Sequence, residues 1–403
     1  MRVVKIVFFA LCIAGLSACT MQVPQHAKGT FGYDLEFLKA KDNVVVLNSD
    51  DGRGRVIISP KYQGKIFTST ADGSDGKSFG WIKYETFNAK QLDAHMNAYG
   101  GEDRLWLGPE GGRFSLFFKP GTKMEFDNWH TPPAIDNESW DLVSSTGKKA
   151  SLTKNTSIQN YTGTTLSIKL QRDVEILEPA AIKQMLGIDD LDSTVKSVGF
   201  TTVNTITNSG TTTWNKTAGA PCLWSLDMFT PSPQTVIIVP YKEDVTGKVA
   251  TTNYFGEIPK DRIVYNNGTL LFKADGKSRG KLGIPPNRAK NMIGSYDGAN
   301  DILTIVFFDL DDKGDYLNQE WKPDTAPFTG DAVNAYNDGP LANGSQMGPF
   351  YELESVSPAA FLKPGEKLSH KHSVFHFMGD INALNKIAWK TLGFSLHDKT
   401  HNI

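Results

Sequence analysis

The feature that most limits what this chain can fold into is its rhythm. From about residue 33 onward, short apolar runs rich in Thr, Val and Ile alternate with breaks of Gly, Asn and Asp. Residues 43–59, NVVVLNSDDGRGRVIIS, place two apolar runs around an Asp-Gly turn, the pattern of a β-hairpin. Residues 113–121, 156–177 and 199–214 show period-two alternation, and residues 234–241, 302–310 and 367–379 continue the strand-like texture. Helical periodicity is confined to residues 84–97, 178–188 and 380–392. Many short strands with turn signals and no fixed-period repeat imply a large antiparallel sandwich and not a propeller. The expected fold is all-β with a few short helices.

The first residues give an address. Arg2 and Lys5 precede an apolar run over residues 6–16 that ends in Leu16-Ser17-Ala18-Cys19. That run is too short to span a bilayer and has the build of a secretory signal peptide. Small residues just before a cysteine resemble the bacterial lipoprotein box, so residues 1–18 are expected to be removed and Cys19 to carry lipid. Residues 19–30 then form a tether, and residues 31–403 form one domain. With Cys19 lipidated, Cys222 has no partner for a disulfide, and stability has to come from a sizeable core. Thr20, Met21 and Gln22 bring no acidic run after the cysteine. The expected location is the cell envelope, lipid-anchored on the periplasmic face of the outer membrane. The lipid on Cys19 is the one membrane contact expected.

Lys and Arg number 42 against 44 Asp and Glu, so no basic field favours nucleic acid. A Gly-x-Ser-x-Gly elbow, a phosphate-binding Gly-rich loop and a His-Glu-x-x-His motif are all missing. Residues 309–320, DLDDKGDYLNQE, approach a calcium loop, but Lys313 stands where a ligand oxygen is required and a strand precedes it, so a solvated turn is expected. No metal and no cofactor are expected.

Three stretches concentrate the polar and aromatic groups that recognise sugars. Residues 95–112 hold His95, Asn97, Glu102, Arg104, Trp106 and Glu110 among glycines that let backbone approach a ligand. Residues 321–340 hold Trp321, Tyr336, Asn337 and Asp338, where the Asn and Asp also suit Asx turns. In residues 348–377, strand alternation puts Glu352 and Glu354 on one face, and Tyr351, Leu353 and Ser355 on the other. Two glutamates on one strand face are costly to bury without a task, unless the strand is an edge with both in water. His370, His372 and His376 share a face of the last strand and are expected to be half-exposed. Charged groups hydrogen-bond sugar hydroxyls, and aromatic faces cover the C–H patches of the ring. Arg104 would otherwise pair Glu102 or Glu110 to brace two loops.

Residues 353–377, LESVSPAAFLKPGEKLSHKHSVFHF, resemble the carboxy-terminal signature of aldose 1-epimerases (galactose mutarotases): a Leu-Glu dipeptide, a Leu-x-Pro-Gly-Glu turn and a final strand. His95 before Gly100-Gly101 fits as well. The whole chain is also similar to a group of exported Bacteroidetes-type lipoproteins of unknown function, through Gly-Gly-Glu-Asp-Arg-x-Trp-Leu-Gly-Pro-Glu and Asn-x-Tyr-Asn-Asp-Gly-Pro. The resemblance implies a mutarotase-like β-supersandwich and chemistry at or near the anomeric carbon of a sugar, with Glu354 as base. The family's mid-chain acid, a histidine, has no counterpart in residues 204–229, where Trp214, Trp224, Ser225 and Asp227 stand. His95 or Glu102 is then the expected acid, with Glu110 a further candidate. Asn97, Arg104, Trp106, Glu110, Trp224, Trp321, Tyr336, Asn337, Asp338 and Glu352 are the expected binding residues. The expected partner is a mono- or oligosaccharide, held either by an epimerase-like enzyme or by a glycan-binding lipoprotein that has lost its acid.

Overall fold

The structure, a computed structural model, describes residues 25–398 and residue 403. The expected signal peptide, Cys19 and the first part of the expected tether lie outside the described residues.

Numbered along the chain, the strands form three sheets whose ladders are antiparallel. The smallest is β1 (Val45–Asn48), β2 (Arg55–Ser59) and β3 (Lys65–Thr70), and its first two strands are the hairpin expected from residues 43–59. A five-stranded sheet comprises β4 (Arg104–Gly108), β9 (Cys222–Phe229), β13 (Gly280–Ile284), β16 (Val333–Asn337) and β17 (Tyr351–Val356). Its order is β13-β16-β17-β9-β4. The largest sheet holds β5 (Asp141–Ser145), β6 (Lys149–Gln159), β7 (Thr165–Leu177), β8 (Lys196–Asn208), β10 (Thr235–Pro240), β11 (Ile263–Asn266), β12 (Thr269–Lys273), β14 (Met292–Asp297), β15 (Ile302–Phe308) and β18 (Lys367–Met378). Its order is β11-β12-β10-β14-β15-β18-β8-β7-β6-β5.

The alternation of β7 shows why these segments are strands. Leu166, Ile168, Leu170, Val174 and Ile176 are buried on one face, while Thr165, Lys169 and Gln171 are exposed on the other. The five- and ten-stranded sheets pack face to face over one apolar cluster that takes Leu166, Ile168 and Leu170 from one side and Leu223, Leu353 and Ala335 from the other. The fold is therefore an all-β antiparallel sandwich. The outer face of the ten-stranded sheet is covered by α2 (Pro179–Leu186) and α3 (Ile381–Leu392), through Ile182, Leu186, Leu384 and Ile387.

Three expectations are corrected. Residues 84–97 form only a 3-10 turn at Tyr84–Asn88, because the rest of the segment has few buried apolar residues to support a helix. A helix goes unread at α1 (Phe31–Lys39), where the Thr30 side chain accepts from the Tyr33 amide and Phe31, Leu35 and Leu38 pack on β2 and β3. Residues 113–121 form no strand, although Phe118 makes an isolated bridge to Trp129. Thr30 also bridges Lys77, and His26 Nδ1 lies 2.8 Å from Asp75 Oδ1, so the described end of the tether lies against the fold.

Candidate functional site

One face of the five-stranded sheet floors a cleft. Register brings Asn334 beside Glu354, Tyr336 beside Glu352, Lys281 beside Tyr336 and Trp106 beside Trp224. Arg104, Trp106, Trp224, Leu226, Met228, Lys281, Tyr336 and Glu352 line the cleft from this floor. Its walls come from loops that supply Glu110, Phe126, Trp129, Phe255, Trp321 and Phe350. Gly111 permits one wall, since a Cβ there would meet Glu320 O at 2.3 Å and Trp321 N at 2.8 Å. An outer compartment continues the cleft through Tyr254, Gln319, Asn334 and Leu341, sharing Glu110, Phe126, Phe255, Arg279, Lys281 and Trp321 with the inner one.

Aromatic rings make up much of the inner compartment. Trp106 and Trp224 meet edge to face at 5.6 Å, and Trp129 stacks on Trp321 at 6.0 Å. Phe126 and Phe255 remain exposed at the mouth.

The charged groups of the floor are paired. Arg104 is bonded to Glu352 and lies over the Trp106 ring at 5.1 Å. Burial, reinforced by Glu354 and opposed by Arg104, pushes the Glu352 carboxyl up to about 8. Glu354 is fully buried, and its Oε2 accepts from Lys281 Nζ at 2.9 Å and Trp224 Nε1 at 2.8 Å. Its Oε1 accepts no hydrogen bond among the described residues. Glu110 reaches the cleft with part of its surface, yet its carboxyl sits deep among protein atoms. Burial pushes its pKa up against the pull of Lys281.

The other face of the same strands turns toward the ten-stranded sheet and carries a second set of charges. Arg172 pairs with Asp103 at 3.1 Å and donates to Asn204 at 2.9 Å, with both charged groups fully buried. His372 Nε2 lies 2.9 Å from Asp227 Oδ2, and Ser355 Oγ lies 2.8 Å from both His372 Nδ1 and His370 Nε2. Burial works against charge on His372, but Asp227 overrides it and raises the pKa. Burial, with the neighbouring His372 acting in the same direction, draws His370 down to about 3. When His372 is protonated it donates to Ser355, which in turn donates to His370. Asp103, Asp227 and His372 bring three ligand-type atoms within 4.8 Å of one another, and Arg172 and His372 already supply positive charge there.

These positions sort the residues expected from sequence. Arg104, Trp106, Glu110, Trp224, Trp321, Tyr336 and Glu352 line the cleft. Glu354 lies directly beneath the floor, behind Lys281 and Trp224. Asp338 acts on the cleft only through Tyr336, whose hydroxyl donates to Asp338 Oδ1 at 3.0 Å.

Four residues fall elsewhere. His95 lies behind the wall, its ring stacked on Phe126 at 4.5 Å and on His130 at 4.9 Å, with Nδ1 donating to the Trp129 carbonyl at 2.7 Å. Glu102 is held between the sheets by Ser69 and by His376 Nε2 at 3.0 Å. Asn97 is locked to Asp136 at 2.7 Å. Asn337 faces away, donating to Ser278 O at 2.8 Å and accepting from the Gly276 amide at 2.9 Å.

Further corrections concern Arg104, which pairs Glu352 and neither Glu102 nor Glu110, and the histidines of β18, which are fully buried and not half-exposed. Gly100 serves packing and not ligand approach, because a Cβ there would meet Trp81 O at 2.2 Å. Lys281 and Arg279 are cleft residues that sequence reasoning missed, although the alternation in residues 277–284, KSRGKLGI, puts both on one strand face.

Residues 29–403 match the model of a family described as a family of unknown function (DUF6786), and the chain belongs to that family. None of the curated proteins matches the sequence. Among solved structures, a putative aldose 1-epimerase from Escherichia coli K12 aligns at 14% identity with a TM-score of 0.48, covering 83% of this chain and 98% of that one. A galactose mutarotase-like protein from Lactobacillus casei aligns at 10% identity with a TM-score of 0.48, covering 83% of this chain and all of that one (100%).

Proposed function

We propose that the cleft binds a saccharide and carries acid–base chemistry at or near its anomeric carbon, as an aldose 1-epimerase-like isomerase. The observation that supports this most is the unfilled oxygen of Glu354. A buried acceptor left without a donor costs about 1–3 kcal/mol, and a sugar hydroxyl would supply that donor. Lys281 and Trp224 hold the other oxygen and keep the carboxylate oriented.

In this reading Glu354 takes the proton of the anomeric hydroxyl, and the electron pair left on that oxygen forms the carbonyl. The bond from the anomeric carbon to the ring oxygen breaks, and Glu110, whose protonated form burial favours, delivers a proton to the ring oxygen. Rotation and reversal of the same steps yield the other anomer. Glu110 thus takes the role that the sequence assigned to His95 or Glu102. Because Glu354 lies beneath the floor, the sugar has to displace the Lys281 ammonium to reach it.

That burial favours a second reading, in which the protein binds a glycan without turning it over. Proton NMR exchange on freshly dissolved α-hexoses and uronic acids separates the two, using protein that lacks residues 1–19. Accelerated anomer exchange, lowered more than about a hundredfold in Glu354→Gln while sugar binding persists, is the expected result. Line broadening without acceleration by the wild type would sink the enzymatic reading and leave the binding one.

The same protein is proposed to be a lipoprotein of the cell envelope, anchored on the periplasmic face of the outer membrane through Cys19. Mass spectrometry of the mature N-terminus should find a lipidated Cys19, and a Cys19→Ala chain that stays in the membrane fraction would overturn the anchor.

A further inference from the structure

We infer that the saccharide taken by the cleft is anionic, carrying a carboxylate or a phosphate ester, and that Arg279 is the residue that reads this group. The inference rests on the carbohydrate reading above and adds the charge of the substrate to it.

Three cations line the cleft, and their partners differ. Arg104 is spent on Glu352, and Lys281 on Glu354. Among the described residues no carboxylate forms an ion pair with Arg279. Its Nε donates to the Tyr336 hydroxyl at 3.2 Å, while its two terminal amino groups donate to nothing among the described residues.

Arg279 is nonetheless braced. Its guanidinium carbon lies 3.8 Å from the centroid of the Phe255 ring, which fixes the plane of the group. The Tyr336 hydroxyl that receives its Nε donates onward to Asp338 Oδ1, and Asp338 Oδ2 accepts from the Gly348 amide at 2.9 Å. An exposed arginine that met only solvent would have no need of such a chain. Ordering a long side chain costs rotamer entropy, and here the ring and the tyrosine have already met that cost before a ligand arrives.

The place of Arg279 gives the brace a use. It lines the inner compartment with Trp106 and Trp224 and the outer one with Gln319 and Asn334, so it stands where the two join. A sugar ring lying on the tryptophans would therefore have a guanidinium fork at its side. Two parallel N–H groups fit the two oxygens of a carboxylate or of a phosphate, and a neutral hydroxyl uses only one of them. Of the remaining acidic groups, Glu320 lines the outer compartment but is paired with Lys322 at 2.8 Å, and Asp338 lies behind Tyr336 and accepts from its hydroxyl and from the Gly348 amide. Glu352 and Glu110, which line the inner compartment with Arg279, are both pushed up by burial and present less negative charge than their number suggests.

The test is calorimetric titration at low salt with D-galacturonate, D-glucuronate and glucose 6-phosphate, each set against D-galactose or D-glucose, and with inorganic phosphate alone. At least one acidic sugar should bind about tenfold or more tightly than its neutral counterpart, with the margin shrinking as salt rises. Which acidic sugar wins tells a carboxylate from a phosphate ester. Arg279→Gln should bring the ratio close to one, and Arg279→Lys should keep part of it, because charge remains while the fork is lost. Arg279 is exposed, so both variants should melt with the wild type.

Equal binding of acidic and neutral sugars by the wild type overturns this inference alone, as does a preference that survives Arg279→Gln. Inorganic phosphate binding as tightly as the phosphosugar overturns the saccharide part. Binding of no sugar at all overturns the carbohydrate reading of the cleft and this inference with it.

Discussion

Asp103 and Arg104 are neighbours in the chain and belong to opposite faces of the same sheet. Asp103 points between the sheets, where Arg172, Asn204, Asp227, His372, Ser355 and His370 join in a network sealed from water. Arg104 points into the cleft, where its partner Glu352 and the nearby Glu354, Lys281 and Glu110 form pairs that stop short of closing. Glu354 keeps an oxygen without a donor, and Arg279 keeps a guanidinium without a carboxylate. Charge paired with countercharge and sealed from water holds the two sheets in register, although Asp103 Oδ1 and Oδ2 and Arg172 Nε make no hydrogen bond among the described residues. On the cleft face the open groups lie at or just beneath a cavity that a ligand can enter, and Arg279 is exposed there.

The sharpest way to break this contrast is to remove one arginine from each face. Arg172→Met strands Asp103 in a dry interface and should cost about 3–5 kcal/mol in urea unfolding. Arg104→Met should cost less, about 1–3 kcal/mol, because Glu352 is already biased toward its neutral form and borders the cleft. Equal losses would mean that the two faces do not differ as described.

A smaller effect is the dependence of stability on pH. Glu352 rises to about 8 from 4.5, and Asp227 to about 7 from 3.8, so the folded protein holds more protons than the unfolded chain between those values. The stability these two groups contribute is then full below about pH 4 and falls as pH rises toward 8, by about 1.4 kcal/mol per pH unit for each extra proton held. Glu352→Gln should flatten the upper end of that fall, leaving the lower part to the Asp227–His372 pair. A stability that rises from pH 5 to 8 would contradict both assignments.

Phe126 tests the mouth of the cleft. Phe126→Ser should weaken sugar binding by about 0.5–1.5 kcal/mol and leave the melting temperature in place, since the ring is exposed. The smallest effect belongs to His95. His95→Ala should leave anomer exchange within about twofold of the wild type. A larger loss would return His95 to the chemistry and break the boundary drawn here around the cleft.

Much of this arrangement was legible before the fold. Alternation in residues 350–356 correctly separates Glu352 and Glu354 from Tyr351, Leu353 and Ser355, because a strand's period is two whatever surrounds it. The same period puts His370, His372 and His376 on one face but cannot say what covers that face, and so their burial was missed. Arg172 had a readable signal, since it interrupts the inward row Leu166, Ile168, Leu170, Val174 and Ile176. What the sequence hid was which faces converge. His95 and Glu102 both stand shortly before Arg104 along the chain, but the glycine turn at Gly100 and Gly101 carries each to a different neighbourhood. Arg279 and Lys281 stand far from the other site residues in sequence and reach them only through the pairing of β13 with β16.

Cys222 opens β9 opposite Gly108 of β4, fully buried, with its thiol pushed up to about 12 by burial. It is the one cysteine among the described residues. Such a sulfur is inert toward alkylating reagents while the two strands stay zipped, and it reacts only in the moments when they part. Its labelling rate is therefore a clock for the breathing of the cleft floor, and a sugar that clamps Trp106 to Trp224 would be heard as a slowing of that clock, without any chemistry at the sugar having to be seen.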